Sequence, residues 1–433
     1  MQNLFCYQSF TIRTNWQTTA LMKIDKSLWI LVLVCVINSM GFGIIVPLLY
    51  SYGKKFGLNE QSIGILTATF SVAQFFATPL LGALSDKWGR KPLLAISLAG
   101  TCVSFILFAT AQNLVMLFAA RLLDGVTGGN ISVAQAMISD TSTPQDRARK
   151  FGILSSAFGF GFVIGPAIGG LLSKLGMQAP FYFAAGIALI GSLCAIFLLK
   201  ETKGSAEQST ENGEKEDRNS KTKDTHQPQN TGTSKNRFTF ASIITALKMP
   251  VIGTSLIIGF FLTMAQFVMI IGFQTFSVDK LKLNPTQIGL IYAGFGVTGI
   301  LMQLTVPLVT KWISSRAVIL LSSTLICLVA MFVTGFTSAV VAFITSMYVY
   351  GLFNGLRNPM LNAIIADHND DSRQGEILGV NQSYASVGQT LGPILAGWVT
   401  AISVNMTFFL SAFFILIGFL LTFRLKNKEQ KTS

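Results

Sequence analysis

Twelve predominantly apolar stretches recur along this chain, near residues 28–50, 63–84, 92–111, 114–137, 150–172 and 180–199, then 251–276, 287–308, 316–336, 339–363, 377–400 and 404–424. At ~1.5 Å of rise per residue, each is long enough to cross the ~30 Å hydrocarbon core of a bilayer as a helix. Lipid supplies no partner for a free backbone N–H or C=O, so an isolated crossing segment of this kind must be helical. Composition agrees: 51% of the residues are hydrophobic and only 12% are charged, about half the charge share of a soluble domain. The chain reads as an all-α polytopic membrane protein.

The net charge of +13 is not a nucleic-acid footprint, because the basic residues sit in particular loops. They cluster before the first span (Lys23, Lys26), after the second (Lys87, Arg90, Lys91) and after the fourth (Arg147, Arg149, Lys150). The pattern continues after spans 6, 8 and 10 and in the tail (Arg424, Lys426, Lys428, Lys431), whereas the intervening loops hold only Lys54, Lys55, Lys174, Lys280 and Lys282. By the positive-inside rule both termini are cytoplasmic, which requires an even number of spans. Twelve satisfies it. The expected location is a cell membrane crossed many times, of the bacterial plasma-membrane kind.

Cys35, Cys102, Cys194 and Cys327 fall inside spans and Cys6 precedes the first. They read as small hydrophobes, with no disulfide framework. Residues 1–21 hold no long apolar core of the kind a cleavable signal needs, and Met22-Lys23 resembles a natural start immediately before span 1. Residues 200–237 contain neither an aromatic nor a branched aliphatic residue and are dense in both signs of charge. Such a segment buries too little to offset its ordering entropy. The following "FTFASIITALKMP" (238–250) turns apolar and suits the inner membrane surface. The expected division is an N-terminal cytoplasmic segment (1–27), a six-helix half (28–199), a largely disordered cytoplasmic linker (200–250), a second six-helix half (251–424) and a cytoplasmic tail (425–433).

The two halves echo one another. Asp140, Gly152, Gly165 and Pro166 recur as Asp367, Gly379, Gly392 and Pro393 at one constant offset of 227. Four landmarks at a fixed spacing imply two pseudo-symmetric six-helix bundles in the same orientation, related by an axis along the membrane normal, with a substrate path between them.

"GALSDKWGRKPLL" (82–94) joins spans 2 and 3. Gly82 allows close helix approach, Asp86 can complement a helix end, Gly89 permits a tight turn, and Arg90 and Lys91 hold the loop in the cytoplasm. Gly82, Leu84, Asp86, Lys87, Gly89, Arg90 and Lys91 match the order G-x-L-x-D-(K/R)-x-G-(R/K)-(R/K), which resembles the signature loop of the major facilitator superfamily. The resemblance implies a charge cluster between this loop and Asp140 at the cytoplasmic end of span 4, holding one of two alternating conformations. The matching loop of the second half, "PLVTKWISSRAVIL" (307–320), keeps only Lys311, Trp312 and Arg316, so any such latch is expected to be lopsided.

In span 5, "GFVIGPAIGG" (161–170) sets Gly161, Gly165 and Gly169 on one helix face, a smooth strip for tight contact, and Pro166 bends the helix. Together with Gly170 these residues resemble the antiporter motif of the family's drug/proton exporters. "GFGIIVPLL" (41–49) in span 1 resembles the same branch. The resemblance spans essentially the whole chain from Met22, the linker excepted.

Seven of the 19 acidic residues lie in the 200–237 linker, and eleven of the others sit at tails, loops or span ends. Asp124, in "RLLDGVTGG" (121–129), is the one left deep in a span, about 15 Å down from Leu114 at ~1.5 Å per residue. An arginine or aspartate there costs roughly 2.5–3.5 kcal/mol on insertion scales. Arg121 and Asp124, at i and i+3, share a face and can neutralise one another, which suits either a self-satisfied structural pair or an ion path. The resemblance extends to Arg121, Asp124 and Gly125, which match a span 4 pattern whose arginine is assigned to proton coupling. The expectation is that Asp124 takes a proton from outside and Arg121 tunes its hold on it.

Where related exporters often carry acids in spans 1, 7 and 10, this chain offers Asn38, Gln266 and Gln274, and Asn354, with Arg357 nearby. These amides, with Phe, Met and Tyr, suit a large, mostly apolar substrate cavity, and each serves equally as a helix–helix hydrogen bond. The absence of a G-x-x-x-x-G-K-(S/T) loop argues against ATP as the direct energy source. His226 and His368 are the only histidines, and no cluster suggests catalysis, a cofactor or a metal. The reading that results is a proton-driven exporter of small amphipathic drugs or antibiotics, monomeric in the bilayer and without nucleic-acid partners. The alternatives are an exporter of sugars or another metabolite on the same fold and, remotely, a non-transporting membrane sensor.

Overall fold

The computed structural model describes residues 26–142, 144–202, 245–313, 315–368 and 374–432. Residues 1–25 and most of the expected linker lie outside the described residues. The described residues are predominantly helical, with no strand.

The N-terminal half comprises α1 (Lys26–Ile45), α2 (Leu49–Lys55), α3 (Glu60–Trp88), α4 (Arg90–Ala109), α5 (Leu114–Thr127), α6 (Asn130–Asp140), α7 (Pro144–Leu172) and α8 (Ala179–Leu198). The C-terminal half comprises α9 (Pro250–Thr275), α10 (Pro285–Leu304), α11 (Val306–Trp312), α12 (Arg316–Phe336), α13 (Val340–Asp367), α14 (Gln374–Ile402) and α15 (Val404–Thr432). A π-turn, Phe276–Lys280, extends α9. Ten helical stretches among the described residues are long and apolar enough to cross a bilayer. Helices α13 and α14 are equally long but more polar, carrying Asn354, Arg357 and Asn358, and Asn381, Gln382 and Gln389, along their length.

Helix starts follow local chemistry. The Asn59 and Asn113 side chains accept the N–H of Ser62 at 2.8 Å and Met116 at 2.9 Å, and Asn284 with Gln287 forms a capping box ahead of α10. Each satisfies donors the first turn leaves free. Three expected spans are interrupted. The first stops at Ile45 and resumes as α2 at Leu49, across Pro47, which brings no N–H. The fourth breaks at Gly128-Gly129, and the eighth breaks between Leu304 and Val306. The last helix runs to Thr432 instead of giving way to a tail at 425, with Leu425 fully buried.

Two hydrophobic cores form. One is drawn entirely from residues 28–199, the other from 246–425 together with Val46. Packing repeats between the halves: α1 lies on α7 as α9 lies on α14, α4 on α8 as α12 on α15, and α3 on α5 as α10 on α13. The halves meet principally through α3 against α14 and α7 against α10. Many large apolar side chains, among them Phe76, Ile96, Leu189, Phe336 and Ile402, stay uncovered on the outer surface, where hydrocarbon would surround them. This is a twelve-span membrane fold of two pseudo-symmetric six-helix bundles.

Candidate functional site

Arg121 and Asp124 lie on α5 just before its break and are 1% and 8% exposed. Arg121 Nη1 donates to Asp124 Oδ2 at 3.1 Å, and the guanidinium sits 4.8 Å from the Phe70 ring centre, a cation–π contact at a buried site. Arg121 Nε has no hydrogen-bond partner among the described residues. Gly125 explains the closeness: a Cβ there would come within 2.6 Å of Ala73 Cβ, so only glycine lets α5 press against α3 and bring Arg121 over Phe70.

Around the break beyond the pair, polar side chains donate to backbone carbonyls, as the bilayer interior demands. Gln74 Nε2 donates to Gly128 O at 3.0 Å, Ser97 Oγ to Thr127 O at 2.6 Å, and Ser132 Oγ to Gly129 O at 2.7 Å. Asn38 Nδ2 donates to Asn130 Oδ1 at 2.7 Å, while Thr101 and Thr127 share a hydroxyl contact at 3.0 Å. Asn38, expected at a substrate cavity, thus serves a helix–helix hydrogen bond. Asn130, Gln74 and the hydroxyls were not singled out from sequence; the Gly-Gly pair beside a buried charge was the available signal.

The signature loop forms a charge cluster within the N-terminal half. Arg90 Nη2 reaches Asp86 Oδ1 at 2.6 Å and Arg90 Nε reaches Asp140 Oδ2 at 3.0 Å. Glu201 joins it unexpectedly: its carboxylate accepts the N–H of Arg90 at 2.9 Å and of Lys91 at 3.1 Å, an acid on the positive end of α4. Gly89 turns the chain with φ +104°, a conformation that favours glycine. Gly82 faces Ser132, 3.9 Å from where its Cβ would be.

The second half is less lopsided than its loop suggests. Arg316 pairs with Asp367 and donates to Ala363 O at 3.1 Å. This reproduces the Arg90–Asp140 pair, since Asp367 is Asp140 advanced by the repeat offset. The Asp86/Gly89 turn is what lacks a counterpart.

The glycine strip of α7 lies against α1. A Cβ on Gly161 would fall 2.5 Å from Val36 O, on Gly165 2.6 Å from Met40 O, and on Gly169 2.9 Å from Ile44 O. Gly170 faces away from α1, onto α10: its Cβ would be 2.9 Å from Pro285 O and 3.1 Å from Gly289 Cα. Pro166 lies inside α7 beside the same contact. Gly397 repeats the arrangement on α14, where a Cβ would fall 2.8 Å from Glu60 O of α3.

Between the halves, Phe42 and Phe162 stack with centroids 5.8 Å apart and meet Phe267 and Tyr292 at 6.2 and 5.9 Å. Gln266 and Asn354 are half-buried. Arg357 is turned into the C-terminal bundle, 3% exposed, with Nη1 donating to Tyr350 Oη at 3.3 Å and Nε unpartnered. It forms no ion pair with a carboxylate among the described residues. No group of three or more His, Cys, Asp or Glu among them could hold a metal, and the four described cysteines are free.

The sequence profile of the Major Facilitator Superfamily matches residues 31–384 and 256–433. The chain is 26% identical over 395 residues to Multidrug resistance protein 2 of Bacillus subtilis, covering 90% of this chain and 92% of that protein. It is 28% identical over 391 residues to the class C tetracycline resistance protein of Escherichia coli, covering 89% and 92%. In fold it resembles the crystal structure of a bacterial homolog of the human lysosomal transporter Spinster, inward-facing and unoccupied, with TM-score 0.74, 13% identity and 95% and 98% coverage. Twin six-helix bundles, the duplicated arginine–aspartate pair and a profile match from residue 31 to 433 lead to one conclusion: this chain is a transporter-type, multi-pass membrane protein that belongs to the major facilitator superfamily.

Proposed function

We propose that the protein is a proton-coupled exporter of small amphipathic molecules, of the drug or antibiotic kind, working by alternating access. The observation that carries this reading is the Arg121–Asp124 pair, buried together at 3.1 Å inside an apolar span. A buried carboxylate whose only ionic partner among the described residues is a neighbouring guanidinium is suited to bind and release one proton as access to it alternates. Arg121 pairs with the Asp124 carboxylate, and the Phe70 ring lies against the guanidinium.

Export is supported by the glycine–proline strip of α7 and by relatives whose names refer to multidrug and tetracycline resistance. The aromatic rings where the halves meet suit flat, apolar cargo. On this reading the proton gradient is the energy source, the protein needs no cofactor, both termini are cytoplasmic in a bacterial plasma membrane, and a single chain suffices. The test is expression in an efflux-deficient bacterium, scored for susceptibility across a chemically diverse drug panel. Raised resistance to several amphipathic compounds is expected, abolished by Asp124→Asn; an unchanged profile throughout would favour a metabolite as cargo.

A further inference from the structure

Among the described residues three charged side chains are buried: Arg121, Asp124 and Arg357. The first two neutralise each other, so the buried interior keeps one positive charge, on α13 of the C-terminal half. An arginine cannot shed its proton to escape burial, as a lysine can. Full neutralisation needs an anion, and the described residues supply none. Arg357 Nη1 donates to the Tyr350 phenol at 3.3 Å, and Nε has no hydrogen-bond partner among them. A buried charge without a counter-charge is expensive, and at membrane depth such a group marks a functional site whose partner has to be found.

Arg357 lies beside a polar stripe. Asn354, Asn358 and Asn362 follow one another at i, i+4 and i+8 along α13 and share a face. Asn354 sits at the middle of this 28-residue helix and is half-buried. Asn358 and Asn362, nearer the end read as cytoplasmic, are exposed. Bare amides at that depth are costly against hydrocarbon. Asn381 on α14 donates to Asn362 at 3.1 Å, which sets the stripe toward the helix that meets the other half. The end read as extracellular is shut: the Tyr50 hydroxyl donates to Asp279 across the halves, Gly64 lies against Pro393, and Gly170 against Gly289. These contacts lie away from Asp140 and Asp367, and the stripe borders the space left open on the other side.

We infer that the C-terminal half binds the acidic end of the cargo: a carboxylate on an amphipathic molecule pairs with Arg357 and accepts from the Asn354 and Asn358 amides. The aromatic rings between the halves hold the apolar body. Arg357 is covered in this form, and the incoming carboxylate draws its guanidinium off Tyr350 toward Asn358, the next residue along the helix. A guanidinium presents paired N–H donors that match a carboxylate, which repays the loss of one bond to a phenol. A lipophilic cation meets the opposite situation, because Arg357 repels it and the buried carboxylate, Asp124, is already paired. This inference rests on the proposed export activity only in treating the ligand as cargo.

The test is equilibrium binding to the full chain in nanodiscs of zwitterionic lipid, in chloride-free buffer so that no small anion competes. Three probes share one ring system: 2-naphthoate, 2-naphthamide and 2-naphthylmethylammonium. No proton gradient is present, so the result stands apart from whether Asp124 couples transport. The carboxylate should bind at least about tenfold tighter than the ammonium, the scale of one hydrogen bond to a charged group, with the amide between them. Arg357→Gln should bring that ratio close to one, and Arg357→Lys should preserve its direction. Asn358→Ala, at an exposed position, should weaken the carboxylate by roughly two- to tenfold, and it carries the test if Arg357→Gln does not yield folded protein. Preference for the ammonium, equal binding of the three probes or no binding of any overturns the assignment. So does a carboxylate preference retained in Arg357→Gln or, where that variant does not fold, carboxylate binding unchanged in Asn358→Ala.

Discussion

Gly170 on α7 and Gly289 on α10 oppose one another across the two halves: a Cβ on the first would lie 3.1 Å from the second's Cα, and a Cβ on the second 2.9 Å from the first's. Neither backbone has room for a methyl group. Replacing Gly289 with Val should therefore force α7 and α10 apart at this end, an overpacking penalty on the order of 1–3 kcal/mol. About 1.4 kcal/mol is tenfold in an equilibrium, so the population closed at this end should fall by roughly one order of magnitude. Distance measurements between labels on the two halves read this directly, and an unchanged distribution would mean the contact does not set the closed state.

The buried pair sets a stability hierarchy. Arg121→Ala leaves the Asp124 carboxylate buried without its cation, and such losses run to about 3–5 kcal/mol. Asp124→Asn removes the negative charge but keeps an oxygen that accepts from Arg121, so it should destabilise less. Thermal unfolding in detergent is expected to rank Arg121→Ala below Asp124→Asn, and Asp124→Asn below the unaltered protein.

Arg90 touches two acids that are not equivalent. The Asp86 side chain is 66% exposed and Asp140 is 21% exposed, so water and salt screen the shorter contact more than the longer one. Double-mutant cycles should give Arg90–Asp140 a coupling near the upper end of about 0.2–1 kcal/mol and Arg90–Asp86 a value near the lower end. Raising salt should erode the Asp86 coupling first.

Glu201 caps α4 from a distance of more than a hundred residues along the chain. Glu201→Ala frees two N–H groups and removes a negative charge from a helix N-terminus, a loss of about 0.5–2 kcal/mol. Glu201→Gln retains the acceptor oxygen and should recover part of it. Faster amide exchange at Arg90 and Lys91 in the Ala variant would report the freed donors.

The helical architecture was legible because lipid leaves a long apolar segment little choice, and the constant 227 offset carried the twin-bundle arrangement. Arg121 and Asp124 were legible as a pair because helical spacing brings i and i+3 together. Other features depend on where distant segments land. Glu201 read as the first acid of a polar linker, and only the packing of α8 against α4 turns it into a cap. Tyr50 and Asp279 lie in different halves, so neither period nor motif connects them. The interruption at Gly128-Gly129 was hidden because two glycines within an apolar run fit a continuous membrane helix equally well; the donors that make the break tolerable, Gln74, Ser97 and Ser132, come from three elements. Arg316 and Asp367 were each visible, yet their pairing required α12 and α13 to be placed side by side.

In the proposed exchange, Asp124 carries the proton traded for substrate. Purified protein in sealed vesicles, acidified on the side its extracellular end faces, measures this directly when a compound identified in the resistance panel is added on the opposite side. Substrate-dependent proton movement is expected for the unaltered protein and none for Asp124→Asn, with both proteins folded and inserted equally. Proton movement coupled to substrate in Asp124→Asn would contradict it.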